Sequence, residues 1–410
     1  MYREQSALEY AKLVARVGVN VQEGQTVVLS AYVECAEMAR LIAEQCYLAG
    51  AGQVIVQYAD EEILRLRYLH ASEEALTDIP DWKYAPIIES GRKGACFINL
   101  ISENPDAFAG LDTKRIGISS KAESAKRAPF YEILDKSENQ WTVVAAPSAK
   151  WAGKVYPDLS EQAAVNRLWD DIFHTVRVDT GDAVLSWEQH SAELRTHCDK
   201  LNGSRIKSLR FKNSLGTDLA VTLADNYIWA GGAEYTVGGV CFQANMPSEE
   251  IFTMPHREKV SGVVYASMPL IHNGMKIDKF WMRFEDGAVT DYDALCGKDA
   301  LEQIFKIDEG AKHLGEVALV PYNSMIRETG TLFYNTLFDE NASCHLALGS
   351  AYPINMAGGA ELTSAQKAAA GCNESNTHVD FMFGTSDLSV VGVTDDGEEI
   401  VIFENGDWAE

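Results

Sequence analysis

Among the eight cysteines of this 410-residue chain there is no Cys-x-x-Cys pair, which argues against a structural zinc knot and against a disulfide scaffold. Reduced thiols, and with them a cytoplasmic location, are expected. No apolar run approaches the roughly 18–20 residues that a transmembrane helix requires, because charges interrupt each candidate, so no membrane partner is expected. The opening Met1-Tyr2-Arg3-Glu4-Gln5-Ser6 offers no apolar stretch, so no signal peptide is expected. Basic charge is scarce too. With 35 Lys+Arg against 60 Asp+Glu the formal charge is −25, which repels a phosphate backbone and excludes nucleic acid as a natural partner. No repeat of fixed period and no low-complexity tract occur.

The sequence does carry 46% hydrophobic residues, enough for a sizeable core, and its length suits two domains. The first half alternates helical and strand patterns: helices over 6–17, 35–49 and 121–134, and strands over 26–31, 53–57, 95–102 and 141–146. Such a βαβ series predicts an α/β domain built on a parallel sheet. No G-x-G-x-x-G follows any of these strands, so a dinucleotide site is not supported. Two further helices over 158–176 and 186–202 lead to Asn202-Gly203-Ser204, where the domain boundary is placed: 1–203 and 204–410. Beyond it, short alternating strands with Gly turns (208–211, 219–223, 260–267, 280–284, 388–393 with 399–403) predict a β-rich α+β domain.

The most informative segment alternates polar and apolar residues from Asn376 to Gly384. With side chains alternating along a strand, His378 and Asp380 share one face while Val379, Phe381 and Phe383 take the other. A His and a carboxylate side by side form half of a metal site; they equally fit a hydrogen-bonded pair on a solvent-facing strand. Glu340 and His345 stand five residues apart, so on an ideal helix they diverge, and a shared role needs a turn between them. Two more acids occupy unusual places. The paired Glu249-Glu250 lie in the Pro-bracketed stretch 246–255, and Glu316 opens a hydrophobic strand, where a buried acid is costly unless paired or metal-bound. The remaining histidines, His190 among them, have no acid at a telling spacing.

Taken together, the runs 246–255, 315–320, 339–349 with Tyr352-Pro353, and 377–380 resemble, in order and separation, the successive signatures of the aminopeptidase T/aminopeptidase S family of two-metal peptidases. The resemblance covers essentially the whole chain. It implies metal ligation by Glu250, Glu316, Glu340, His345, His378 and Asp380, with Tyr352 in the active site, and it suggests a homodimer. It implies hydrolysis of peptides with a free N-terminus, in which Glu316 or Glu250 shuttles the water proton and the Tyr352 hydroxyl stabilises the oxyanion. Carboxylates and imidazoles together suit Zn²⁺, with Co²⁺ or Mn²⁺ as alternatives, whereas Ca²⁺ would use oxygen alone. Two readings from other classes compete: an acidic protein that only sequesters metal, and a metal-independent glycosidase with paired carboxylates.

Overall fold

A computed structural model of the chain describes residues 2–272 and 275–409. The chain divides into two compact units. One comprises Met1–Gln189 with Ala233–Pro247, the other His190–Gly232 with Ser248–Glu410.

The first unit is built on a four-stranded sheet, in the order Gln53–Ala59, Thr26–Tyr32, Cys96–Ile101, Trp141–Ala145, with every pair parallel. Its inner strands are nearly continuous runs of Val, Ile, Leu and Phe, as expected when both faces of a parallel sheet are covered. The expected helices appear as Tyr2–Leu13, Ala36–Leu48 and Thr113–Asp135, the last a good deal longer than its periodicity suggested. Pro129 lies inside it without ending it. Three helices that the apolar pattern did not reveal, Glu61–His70, Glu73–Thr77 and Ala85–Arg92, fill the interval before the third strand. The first two begin at side-chain caps, Asp60 and Ser72, whose oxygens accept the amide hydrogens that the first turn leaves without partners.

The second unit holds two antiparallel sheets. A nine-stranded sheet includes Ile206–Lys212, Asp218–Leu223, Pro255–Tyr265, Met275–Glu285 and Ser389–Thr394. A five-stranded sheet runs His378–Met382, His345–Gly349, Leu314–Leu319, Ile251–Thr253, Ala230–Gly231. One face of each contributes to a common core. Val317, Leu319, Leu346, Leu348, Val379 and Phe381 from the smaller sheet join Leu209, Phe211, Val221, Phe280 and Val390 from the larger. At about 1.5–3 kcal/mol per fully buried aliphatic or aromatic side chain, this shared layer supplies much of the driving force for the unit. It also leaves the other face of the smaller sheet free for chemistry.

Candidate metal centre

Cross-strand register brings the predicted residues to that free face. Glu316 pairs with Ala347, and Ala347 with Asp380, so the three side chains lie in one row. His378 stands opposite Gly349, and His345 opposite Ala318. Between the charged groups the face therefore carries only Ala318, Ala347 and Gly349, which leaves room above the sheet. Gly349 has φ +110°, and a Cβ there would meet the Thr377 carbonyl oxygen at 2.1 Å.

Glu316 reaches this face through a bulge. Strict alternation would put it on the same side as Leu314, a core residue. The register instead shifts between the two, so Leu314 faces the core, Glu316 the site, and Val317 and Leu319 the core again. Gly315 makes the bulge possible, because a Cβ at that position would lie 2.3 and 2.4 Å from the carbonyl oxygens of Gly349 and Ser350. Glu316 is thus the third residue of a strand that starts at Leu314, inside the sheet and not at the strand's mouth. The turn needed between Glu340 and His345 exists: Glu340–Ala342 forms one turn of 3₁₀ helix, and the strand begins at His345.

The side chains converge. One atom each from Glu250, Glu316 and His345 lie within 4.8 Å of one another, and all three residues are buried. His345 Nε2 stands 2.9 Å from Glu250 Oε2 and 3.5 Å from Glu316 Oε1. His378 Nε2 stands 3.7 Å from the other oxygen of the same carboxylate, Glu316 Oε2, and 3.2 Å from Asp380 Oδ1. Glu316 therefore spans two His–carboxylate couples with one oxygen toward each. Glu340 lines a cavity together with Asp380. The Tyr352 ring centroid lies 4.6 Å from that of His378, with the tyrosine 44% exposed.

Both imidazoles are turned by the backbone. His345 Nδ1 is 3.2 Å from the Ser343 carbonyl oxygen and His378 Nδ1 is 2.7 Å from that of Ser350. A carbonyl only accepts, so Nδ1 carries the proton and Nε2 faces the carboxylates, the arrangement that metal-binding histidines adopt. Charge is concentrated here at high cost. Burial pushes the Glu316 carboxyl up, and it pushes Glu340 far up with help from the charges of Asp380 and Glu250. Burial alone would lower His345, but Glu250 and Glu316 outweigh it and hold the imidazole well above its ordinary value. His378 is raised to about 9 against its burial by Asp380, which His378 in turn holds below the usual carboxylate range. Desolvation and the surrounding carboxylates push the Tyr352 phenol well above 10. Glu250 Oε2 is buried and, despite its 2.9 Å approach to His345, makes no hydrogen bond of acceptable geometry. An under-satisfied buried oxygen among mixed N and O donors fits a borderline divalent cation such as Zn²⁺.

Several supporting residues escaped the motif reading. Asn341, fully buried, accepts the Glu249 N–H through Oδ1 at 2.7 Å and donates through Nδ2 to Glu340 Oε1 at 3.4 Å, so it ties two of the acidic segments together. Asp308 accepts the Asn376 backbone N–H and side-chain amide at 2.6 and 2.7 Å and the Ser375 hydroxyl at 2.7 Å, pinning the lead-in to His378. His190 Nε2 lies 2.8 Å from the Ser248 carbonyl oxygen and 3.8 Å from Glu249 Oε2, so Glu249 turns to His190 while Glu250 joins the cluster. Adjacency to Glu340 was the one available pointer to Asn341; Asp308 and His190 are too distant in sequence for spacing to reveal.

Comparison with known proteins decides the family, because the model described as thermophilic metalloprotease (M29) matches residues 3–408. The chain belongs to the M29 metalloproteases. It is 42% identical to aminopeptidase AmpS of Bacillus subtilis (strain 168) over 400 residues, 98% of this chain and 97% of that one. It is 40% identical to aminopeptidase T of Thermus thermophilus over 398 residues, 97% of each. The solved structure of wild-type AmpT from Thermus thermophilus superposes with a TM-score of 0.94 at 38% identity, covering 99% of this chain and 100% of that one. As an M29 member the chain is a metallopeptidase. The expected α/β N-terminal region with a parallel sheet and β-rich C-terminal region are the fold it shares with that structure.

Proposed function

We propose that this M29 enzyme is an aminopeptidase that cleaves the N-terminal peptide bond of peptides at a dinuclear centre held by Glu250, Glu316, Glu340, His345, His378 and Asp380. The observation that carries the proposal is the placement of Glu316, whose two carboxylate oxygens face two different imidazoles. A carboxylate so placed would be shared between two groups of donors, Glu250 and His345 on one side and His378 and Asp380 on the other, a set that would hold two cations. Ions held by these residues, Zn²⁺ by preference and Co²⁺ or Mn²⁺ as substitutes, would supply Lewis-acid polarisation of the scissile carbonyl and would acidify an attacking water. Whichever of Glu316 and Glu250 keeps an oxygen off the ions would accept the water proton. The Tyr352 hydroxyl, on the ring that packs against His378, would donate to the developing oxyanion.

Among the described residues no helix is long and apolar enough to cross a membrane. All eight cysteines are free thiols, in keeping with a cytoplasmic location. A homodimer accords with apolar surface left open around the edge strand Gln53–Ala59, where Val56, Tyr58, Ile63 and Leu66 are 36–65% exposed. A panel of aminoacyl amides assayed with Zn²⁺, Co²⁺ or Mn²⁺, and again after chelation, tests the function. Two bound ions with chelator-sensitive release of N-terminal residues are expected. Tight metal without turnover would favour the metal-binding reading, and chelator-resistant activity the glycosidase.

A further inference from the structure

We propose that His190 and Asn341 act together as positioning residues for Glu250, gripping both poles of the peptide group that leads into it, and that this clamp sets the metal affinity of the centre. The inference rests on the metal-centre reading above. Glu250 stands outside the sheet: the ladder begins at Ile251, which pairs with Leu319 on one side and Gly231 on the other. The residues just before it, Ser248 and Glu249, belong to no helix or strand. A single peptide group ties them down. Its carbonyl, that of Ser248, lies 2.8 Å from His190 Nε2, and its N–H, that of Glu249, donates to Asn341 Oδ1 at 2.7 Å. A carbonyl only accepts, so Nε2 carries the proton in that contact. Between the clamped peptide and the ladder only Glu249 and Glu250 remain, so the backbone that carries the Glu250 carboxylate is held at both ends.

Burial makes the clamp strict. His190, Ser248, Glu249, Glu250 and Asn341 are all buried, and a buried peptide group that turns away from its partners loses hydrogen bonds it cannot readily replace. Asn341 is itself oriented. Its Nδ2 faces only acceptors, the Leu337 carbonyl and Glu340 Oε1, each at 3.4 Å, which leaves Oδ1 toward the Glu249 N–H. Its own carbonyl accepts the Ser324 hydroxyl at 3.0 Å. One side chain thus links the backbone leading into Glu250 to the carboxylate of Glu340, two of the groups assigned to the metal. Glu250 Oε2 makes no hydrogen bond of acceptable geometry, so the backbone beneath it decides where that oxygen lies. The clamp grips main chain and is independent of the Glu249 side chain.

The test measures Zn²⁺ affinity by competition with a chromophoric chelator, and the visible absorption of the Co²⁺-loaded protein, which reports ligand geometry. Both are read in His190→Ala, His190→Gln, Asn341→Ala and the double alanine variant. Each alanine variant should bind Zn²⁺ about 10–100-fold more weakly, the usual cost of losing a group that orients a ligand, and should show an altered Co²⁺ spectrum. Glutamine can place an amide nitrogen where the imidazole Nε2 stands, so His190→Gln should recover most of the affinity. Because both side chains grip one peptide, the double variant should lose less than the product of the single losses. A role confined to stability would lower the denaturation midpoint and leave the affinity and spectrum of the folded protein as in wild type; that result overturns the clamp, as does a glutamine variant that binds no tighter than the alanine one. Should Asn341→Ala not fold, the comparison of His190→Ala with His190→Gln decides. A wild type that takes up no divalent ion would instead overturn the metal-centre reading beneath it.

Discussion

Replacing Glu316 with glutamine keeps its size and removes the negative charge that faces both imidazoles at 3.5 and 3.7 Å. Two consequences can be sized. In the metal-free protein, His345 keeps Glu250 at 2.9 Å, so the change falls short of the roughly 3–5 kcal/mol typical of breaking an isolated buried pair. Because burial and the neighbouring Asp380 and Glu250 already raise the Glu316 carboxyl, removing its charge also removes a cost, and the metal-free variant should be no less stable than wild type by more than about 1 kcal/mol. If Glu316 is shared by two cations as proposed, the loaded variant loses a ligand common to both. Loss of a residue that merely orients a ligand costs about 10–100-fold in affinity or activity, so loss of a bridging ligand should exceed that range. Glu249→Gln is the control: it lies one residue from Glu250, is equally buried, and changes the net charge by the same single unit, yet faces His190. It should keep metal and activity within a few-fold of wild type. Bound metal by atomic emission and leucyl-amide hydrolysis are the readouts. Equal activity and full metal in both variants would show that Glu316 bridges nothing and would defeat the mechanism.

Tyr352→Phe should retain its metal while kcat falls by about 10²–10³, the usual cost of one oxyanion donor; unchanged kcat returns the residue to packing. Leu346→Ala, on the core face of the His345 strand, should cost about 2–5 kcal/mol in chemical denaturation while bound-metal stoichiometry stays intact below the transition. Asp308 gives a pH-dependent outcome. Burial raises its carboxyl, but the Asn376 and Ser375 donors outweigh that and lower it below the ordinary value. A depressed carboxylate stabilises the fold above its unfolded pKa of about 3.9 and loses that contribution as pH falls through the native value. Asp308→Asn should therefore be less stable than wild type by about 1–3 kcal/mol at pH 7, with the gap closing in acid; a gap independent of pH would contradict the assignment.

What the sequence could disclose of the site was its local part. His378 and Asp380 are two apart on one strand, and period-two alternation put them together without knowledge of any neighbour. Glu340 and His345 required a turn, and the turn is there. In the sequence Glu316 is only an acid opening a hydrophobic strand; it is the third residue of that strand, and the Gly315 bulge that turns it to the site face was not legible. Such a bulge depends on how Leu314–Leu319 pairs with His345–Gly349, which local pattern does not encode. Asn341 and Asp308 were illegible for a similar reason, since each acts on a backbone group brought near only by the tertiary fold. In the first unit the parallel sheet was readable because short apolar-rich runs alternate with helical patterns, the signature of a βαβ series. The helices between Glu61 and Arg92 were not, because several of their apolar residues, Ile63, Leu66 and Leu69 among them, remain at the surface.

The groups that orient the two histidines are main-chain carbonyls, those of Ser343 and Ser350. Side-chain replacement at either position cannot delete such an acceptor, since every amino acid supplies one. The tautomer of each imidazole is therefore inherited from the path of the chain and is insulated from side-chain replacements that leave that path unchanged, whereas the carboxylates around it are each one codon change from loss. Genetic drift can thus rewrite the surroundings of the histidines extensively and leave their nitrogens aimed at the same place. Disabling that aim takes an insertion, a deletion or a proline that moves the backbone itself.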